Sequence, residues 1–314
     1  MKKIFVVIVT YKGKQWYDRC FMSLRESTMP VETIVVDNSP TEEDAEYIKT
    51  HYPEVHVIKT NENIGFGRAN NIGMRYALDY GCDYVFLLNQ DTWIKPDSLS
   101  IMLPIAEQHP ECGIFSPMHI RADEKSLYIE IEDGSLDHAN VLLSDSYFQT
   151  LKDIYHFKYV NAAAWLIPRR TLDIVGGFDP MFFVYGEDDN YLHRLEYHRL
   201  KVGLIPKAQI IHDHQESETP SVQYRQYRHR QSRLAEYLNI LNSQTPELAI
   251  RYFLRKKVMA YLSFNFQQAR CFAEELRYVY KNRKGIAKSR KMNVQAGRTW
   301  LDTIKQTDIK EYEI

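Results

Sequence analysis

The chain has 314 residues, of which 44% are hydrophobic and 26% charged, and its net charge is -1. This excludes a disordered or fibrous chain and gives no overall charge to draw an acidic partner; it leaves one large α/β domain with an appendage, or two modest domains. Cys20, Cys82, Cys112 and Cys271 form no CxxC pair, so neither a zinc site nor a secreted disulfide framework is expected, and a reducing, cytoplasmic setting fits.

Met1-Lys2-Lys3 precedes an apolar run from Ile4 to Val9 that is too short for a signal-peptide core and rich in β-branched residues, so it reads as a buried first strand. Strands are expected at Ile4 to Thr10, Thr33 to Asp37, Val55 to Thr60 and Tyr84 to Asn89. They alternate with helices near Gln15 to Glu26, Glu42 to His51, Arg68 to Asp79 and Ser98 to Gln108. Such alternation builds a parallel sheet covered by helices on both faces, with ligands bound beyond the carboxyl ends of its strands.

After about Gly113 the pattern becomes irregular. Strands are expected at Ile114 to Met118, Tyr159 to Ile167, Val202 to Ile205 and Gln209 to His212, some of them antiparallel, so the sheet is mixed. From Tyr224 the strand signals stop. The expected organisation is a domain over 1–223, with one half to about 112 and a second half of the site over about 113–223, followed by a helical region over 224–314. No apolar stretch reaches the roughly 20 residues that span a bilayer.

Four strand ends present polar residues: Val9-Thr10-Tyr11, Val36-Asp37-Asn38-Ser39, the loop from Asn61 through Gly65 and Gly67 to Arg68, and Asn89-Gln90-Asp91. In a parallel sheet all four reach one edge, where a base, a ribose and a phosphate chain can lie in sequence. Asp37 suits donors of a base or ribose, Tyr11 a ring, Arg68 a phosphate, and Gly65 and Gly67 a close backbone approach. Asp91 suits a divalent metal holding phosphate. Taken singly, each also fits a plain turn or loop role. A second carboxylate group, Glu187-Asp188-Asp189, follows Phe182-Phe183-Val184-Tyr185 and opens a helical pattern, where free N–H groups favour negative charge. Trp165 offers an aromatic face to a sugar or simply packs in the core. Asp213 and His214, beside His212, enlarge a metal site or form a polar loop.

In this order the motifs resemble the inverting family 2 glycosyltransferases of GT-A fold, within them the rhamnosyltransferase-like branch that assembles bacterial polysaccharides. The matching stretches are VIVTYK (7–12), VVDNS (35–39), NENIGFGRANNIG (61–73), LLNQDT (87–92), GGFDPMFFVYGEDD (176–189) and IPKAQIIHDH (205–214). The resemblance implies an α/β fold with a mixed central sheet flanked by helices. It assigns Thr10, Tyr11, Asp37 and Asn38 to the base and ribose, Gly65 and Arg68 to the donor loop, and Asn89 and Gln90 to the donor side. Asp91 becomes the last carboxylate of the DxD motif, a ligand of Mg²⁺ or Mn²⁺, with His212 completing the metal site. Asp188 becomes the catalytic base, with Glu187, Asp189 and Trp165 about the acceptor or sugar pocket. Asn89 stands where the motif has its first Asp, and Asn190 where a second Asp often follows the base.

The expected reaction moves a sugar from a nucleotide-sugar donor to a hydroxyl of a saccharide or lipid-linked saccharide, with inversion at the anomeric carbon. Two alternatives stay open: a catalytically silent nucleotide-sugar binding protein, motivated by Asn89 and Asn190, and a sugar-nucleotide nucleotidyltransferase. The latter needs a glycine-rich, lysine-bearing loop, for which Tyr11-Lys12-Gly13-Lys14 is a poor substitute. Between Arg251 and Lys291, twelve Lys/Arg against two acidic residues are interleaved with aromatics. This reads either as a helix pair packed on the main domain or as a surface for the inner face of the cytoplasmic membrane. Nucleic acid is not an expected partner, and homo-oligomerisation stays open.

Overall fold

The computed structural model describes residues 2–128, 136–214 and 221–304. The first half alternates as its periodicity predicts: β1 (Ile4–Thr10), α1 (Lys14–Arg25), β2 (Glu32–Asp37), α2 (Glu43–His51), β3 (His56–Lys59), α3 (Phe66–Asp79) and β4 (Tyr84–Leu88). β1 pairs in parallel with both β2 and β4, and β2 with β3. Strands covered on both faces need apolar side chains in both directions. Ile4, Val6 and Ile8 accordingly pack with Tyr17, Phe21 and Leu24 of α1, while Phe5 and Val7 pack with Ala69, Ile72 and Met74 of α3.

The second half extends the same sheet with β5 (Thr92–Ile94), α4 (Ser98–Gln108), β6 (Cys112–Arg121), α5 (Leu136–Tyr147), β7 (Tyr155–Phe157), β8 (Ala164–Pro168), α6 (Arg169–Val175), α7 (Glu187–Tyr197) and β9 (Lys201–His212). The strand order is β3-β2-β1-β4-β8-β6-β9-β5, with β7 paired to β9. β8 runs antiparallel between β4 and β6, so the two halves share one mixed sheet.

Three sequence expectations change. The two short strands near 202 and 209 are one continuous strand, β9, whose pairing with β6 shifts register between Pro117 and Met118 and so hides the period. The strand expected from Tyr159 starts only at Ala164, leaving 159–163 as a loop at the site. Asn89-Gln90-Asp91 leads into β5, which pairs antiparallel with the end of β9 and sets Thr92 opposite His212.

Helices α8 (Val222–Leu238), α9 (Pro246–Leu262) and α10 (Phe266–Asn293) complete the described chain. Each has a side-chain N-cap: Ser221, Thr245 and Asn265 accept from the backbone N–H three residues on. Their core joins Leu234, Leu238, Phe253, Val279 and Ile286 to Phe182, from the loop before α7. Buried Asp179 ties that loop to α10 by accepting from Ser289 Oγ (3.1 Å) and Asn293 Nδ2 (2.9 Å). The C-terminal helices therefore hold the segment that carries the acidic cluster. No helix among the described residues is long and apolar enough to cross a membrane.

Candidate active site

The parallel pairing that sets Thr10 opposite Asp37 brings their side chains together, and Thr10 Oγ1 donates to Asp37 Oδ1 at 3.2 Å. Asp37 is fully buried, also accepts from the Ser39 N–H, and has Lys59 Nζ 3.6 Å from Oδ2, an atom with no hydrogen-bond partner. Burial pushes its carboxyl above the usual carboxylate range, against the opposing pull of the Ser39 hydrogen bonds and Lys59. Lys59, which sequence reasoning did not single out, donates to the carbonyls of Ser39 and Thr41 and stiffens that loop. The half-exposed ring of Tyr11 stands at the end of β1.

Several residues expected to touch the donor are instead occupied by the protein. Asn38 Oδ1 accepts from Ile64 N (2.9 Å) and Thr60 Oγ1 (3.1 Å), and its Nδ2 donates to Asn63 Oδ1 (2.9 Å), so its amide clamps the loop over 60–65. Gln90 closes a two-point pair with the backbone of Tyr11, accepting at 2.9 Å and donating at 3.2 Å. Arg68 turns its guanidinium to the Pro180 carbonyl (2.7 and 3.1 Å). Gly65 has φ 94°, and a Cβ there would lie 2.3 Å from the Phe183 carbonyl oxygen, so its close approach is to protein, not ligand. Trp165 is a correction of another kind. Its ring is wholly buried against Phe178 and Tyr191 and offers no face to a sugar.

The cleft beyond these strand ends is lined by Asn89, the loop residues Tyr159 and Asn161, the acidic cluster, His212, His214 and, from α8, Arg228 and Ser232. Asn89 Oδ1 is buried without a hydrogen-bond partner. His212 is buried, neither of its ring nitrogens has a hydrogen-bond partner, and Nε2 lies 3.5 Å from Asp91 Oδ1. With His214, these side chains place three ligand atoms within 4.8 Å of one another. A buried imidazole with both nitrogens open, beside a carboxylate and a second imidazole, fits a divalent cation. Behind it, burial drives His119 down to about 3 and so keeps it neutral.

On the other wall, α7 opens at Gly186, which has φ 84° and so admits the turn that presents the acidic cluster. Asp188 Oδ2 accepts from the Tyr159 hydroxyl at 2.9 Å, and Oδ1 from the Asp189 N–H at 3.0 Å. Glu187 is buried; burial and the adjacent Asp188 charge push it up to about 8, and Oε2 has no hydrogen-bond partner. Asn190 is fully buried and does not line the cleft. Helix α8 closes this side: Tyr227 donates to the Val184 carbonyl (3.1 Å), Tyr185 and Tyr224 pair through their hydroxyls (2.8 Å), and the Arg228 guanidinium sits 4.4 Å over the Tyr185 ring. Tyr128, Tyr159, Asn161, Arg228 and Ser232 were not expected at the site, because only long-range packing brings them there.

A mixed sheet whose parallel strand ends gather buried polar atoms, with a candidate cation cage on one side of the cleft and a held carboxylate on the other, has the layout of a GT-A glycosyltransferase. The chain belongs to glycosyl transferase family 2, whose model matches residues 5–165. It is similar to the N-acetylglucosaminyl-diphospho-decaprenol L-rhamnosyltransferase of Mycobacterium tuberculosis, 26% identical over 66% of this chain and 75% of the relative. It is also similar to the dTDP-rhamnosyl transferase RfbF of Shigella flexneri, 25% identical over 67% of this chain and 68% of the relative. Among solved structures, S. aureus TarS 1-349 shares the fold with a TM-score of 0.55 and 10% identity, covering 88% of this chain and 91% of that one. The chain is thus a family 2 glycosyltransferase that is similar to rhamnosyltransferases.

Proposed function

We propose that the protein moves a hexosyl group, rhamnose or a close analogue, from a nucleotide sugar to a hydroxyl of a saccharide or lipid-linked saccharide in cell-surface glycan assembly, with inversion at the anomeric carbon. The observation that carries this reading is Asp188, held by Tyr159 and a backbone N–H in the cleft that also contains His212 and His214. The donor base and ribose lie over Tyr11 at the end of β1, above buried Thr10 and Asp37, whose Oδ2 has no hydrogen-bond partner and faces Lys59 Nζ at 3.6 Å. Asn89 Oδ1 faces the donor side.

Asp91, His212 and His214 would hold a divalent ion. Two imidazoles in the set favour Mn²⁺ over Mg²⁺, which prefers oxygen ligands and keeps its waters. When bound, the ion neutralises charge on the departing diphosphate. Asp188 removes the proton of the acceptor hydroxyl as that oxygen forms its bond to the anomeric carbon. The bond from that carbon to the diphosphate oxygen breaks, and its electron pair leaves with the nucleoside diphosphate. Tyr159 fixes the aim of the carboxylate, and neutral Glu187 avoids a second buried negative charge beside it. Arg228, on the acceptor wall, offers its cation to an anionic acceptor group such as the diphosphate of a lipid carrier. A carrier of that kind places the enzyme at the inner face of the cytoplasmic membrane.

The test is release of nucleoside diphosphate from a panel of nucleotide sugars with Mn²⁺ and saccharide or lipid-linked acceptors. Release that depends on acceptor supports transfer; binding with no release supports a silent nucleotide-sugar binding protein, and pyrophosphate as product would overturn the reading.

A further inference from the structure

The basic aromatic stretch between Arg251 and Lys291 divides into two parts. Phe253, Phe272 and Tyr278 turn inward and pack with Leu234, Leu238 and Ile286. Tyr252, Tyr261, Phe264 and Phe266 stay exposed, and so do Leu254, Val258, Met259 and Leu262. Leu254, Val258, Tyr261 and Leu262 share one face of α9 by their spacing. At its end Leu262 and Phe264, 76% and 81% exposed, form the turn into α10, where Phe264 has a left-handed φ of 57°. Single exposed apolar residues are ordinary, but a contiguous helix face ending in bare aromatics marks an interaction surface.

The charge around this face selects the partner. Residues 248–273 contain Arg251, Arg255, Lys256, Lys257 and Arg270 and no Asp or Glu. Lys257 lies 6.0 Å over the ring of Tyr261, and Arg251 and Arg255 border the same face by their spacing, whereas Lys256 pairs with Tyr252 (5.6 Å) on the far side of α9. Self-association through this face would bring four cations against their copies, with Glu247 at the start of α9 the one acidic residue on the face and Glu274 already 3.7 Å from Arg270. An anionic bilayer accepts both components, with apolar side chains entering the interface and cations meeting phosphate headgroups.

We propose that the exposed face of α9 and the turn from Leu262 to Phe266 dock into the interfacial layer of an anionic phospholipid membrane. This deepens the reading of a lipid-linked acceptor and rests on it for its purpose, but its test needs neither donor nor acceptor. The full chain is sedimented with vesicles of phosphatidylglycerol and phosphatidylethanolamine, and separately with phosphatidylcholine vesicles. Each cation at an anionic surface contributes roughly fivefold in affinity, so preference for the anionic vesicles should exceed about tenfold and weaken with salt. Leu262→Asp/Phe264→Asp/Phe266→Asp alters only exposed side chains; with an unchanged melting temperature it should bind about tenfold or more weakly.

Equal or absent binding of the wild type to the two vesicle types overturns the proposal. A folded triple variant that binds as the wild type does, or a wild-type dimer dispersed by the substitutions, overturns it as well. Nucleoside diphosphate release without vesicles reports separately on glycosyl transfer. If that fails while vesicle binding persists, the catalytic reading falls and the docking surface stands.

Discussion

The donor loops and the cleft floor treat their polar side chains in opposite ways. In the loops, Asn38 and Gln90 hydrogen-bond to the protein itself, and exposed Arg68 turns two of its donors to one carbonyl. On the cleft floor, Asn89 Oδ1, both nitrogens of His212 and Glu187 Oε2 are buried with no hydrogen-bond partner. A buried polar atom left unpaired costs about 1–3 kcal/mol, so a chain retains several in one place only where something else completes them. Among the residues that line the cleft, then, the unfilled ones face the ligand; Asn190 and Trp165 Nε1 are unpaired too, but lie in the core. Asp37 belongs to both groups, with one oxygen engaged and the other without a hydrogen-bond partner, 3.6 Å from Lys59 Nζ.

The sharpest way to break this distinction is to remove the base. Asp188→Asn should lower transfer by about 10³-fold while nucleotide-sugar binding, followed by thermal shift, stays near wild type. Unchanged turnover would move the base elsewhere. His212→Ala should come next, with transfer down about 10²-fold and the Mn²⁺-dependent thermal shift of the donor complex abolished. A shift that persists would detach the metal from this cage.

On the scaffold side, Asn38→Ala should cost about 1–3 kcal/mol in chemical denaturation, because it leaves the Ile64 N–H short of an acceptor, while the Thr60 hydroxyl keeps the Glu62 carbonyl. Its loss of activity should follow its loss of folded protein. A stable Asn38→Ala protein with failed donor binding would place the amide on the nucleotide after all.

Glu187 gives a smaller, pH-dependent effect. Its carboxyl rises from 4.5 to about 8 in the folded state, so the fold binds that proton more tightly than the unfolded chain does. The resulting stability is complete below about 4.5 and is lost as pH rises through about 8. Melting temperatures across that window should fall less steeply for Glu187→Gln than for the wild type; parallel curves would mean that the carboxyl is ionised throughout. Arg228→Ala should do least, raising KM for an anionic acceptor several-fold with kcat and stability nearly unchanged. An effect on the donor alone would reassign that wall.

The nucleotide half was legible because its information is local. Strand runs such as Tyr84–Leu88 are apolar throughout, the helices between them keep their period, and the parallel pairing then brings Thr10, Asp37 and Asn89 to one edge without further information. The opposite wall was legible only in its acidic cluster. Tyr159 reaches Asp188 across 29 residues, and Arg228 reaches the cleft through the packing of α8 on the loop before α7; neither relation leaves a periodic trace. Trp165 shows the reverse error. An aromatic near a sugar-binding motif suits the chemistry, yet the pleat of β8 turns this one into the core beside Phe178. Arg68 and Gly65 were recognised as special for valid reasons of charge and backbone freedom, but the loop ending near Phe183 uses both.

The central claim is that one base on the acceptor wall and one ion on the donor wall carry the reaction in a single displacement. The most direct measurement is the anomeric configuration of the first-formed product, followed by proton NMR from a donor of known configuration. Inversion is the result this arrangement predicts. Retention would require a second displacement and a nucleophile on the enzyme, and would contradict the role given to Asp188.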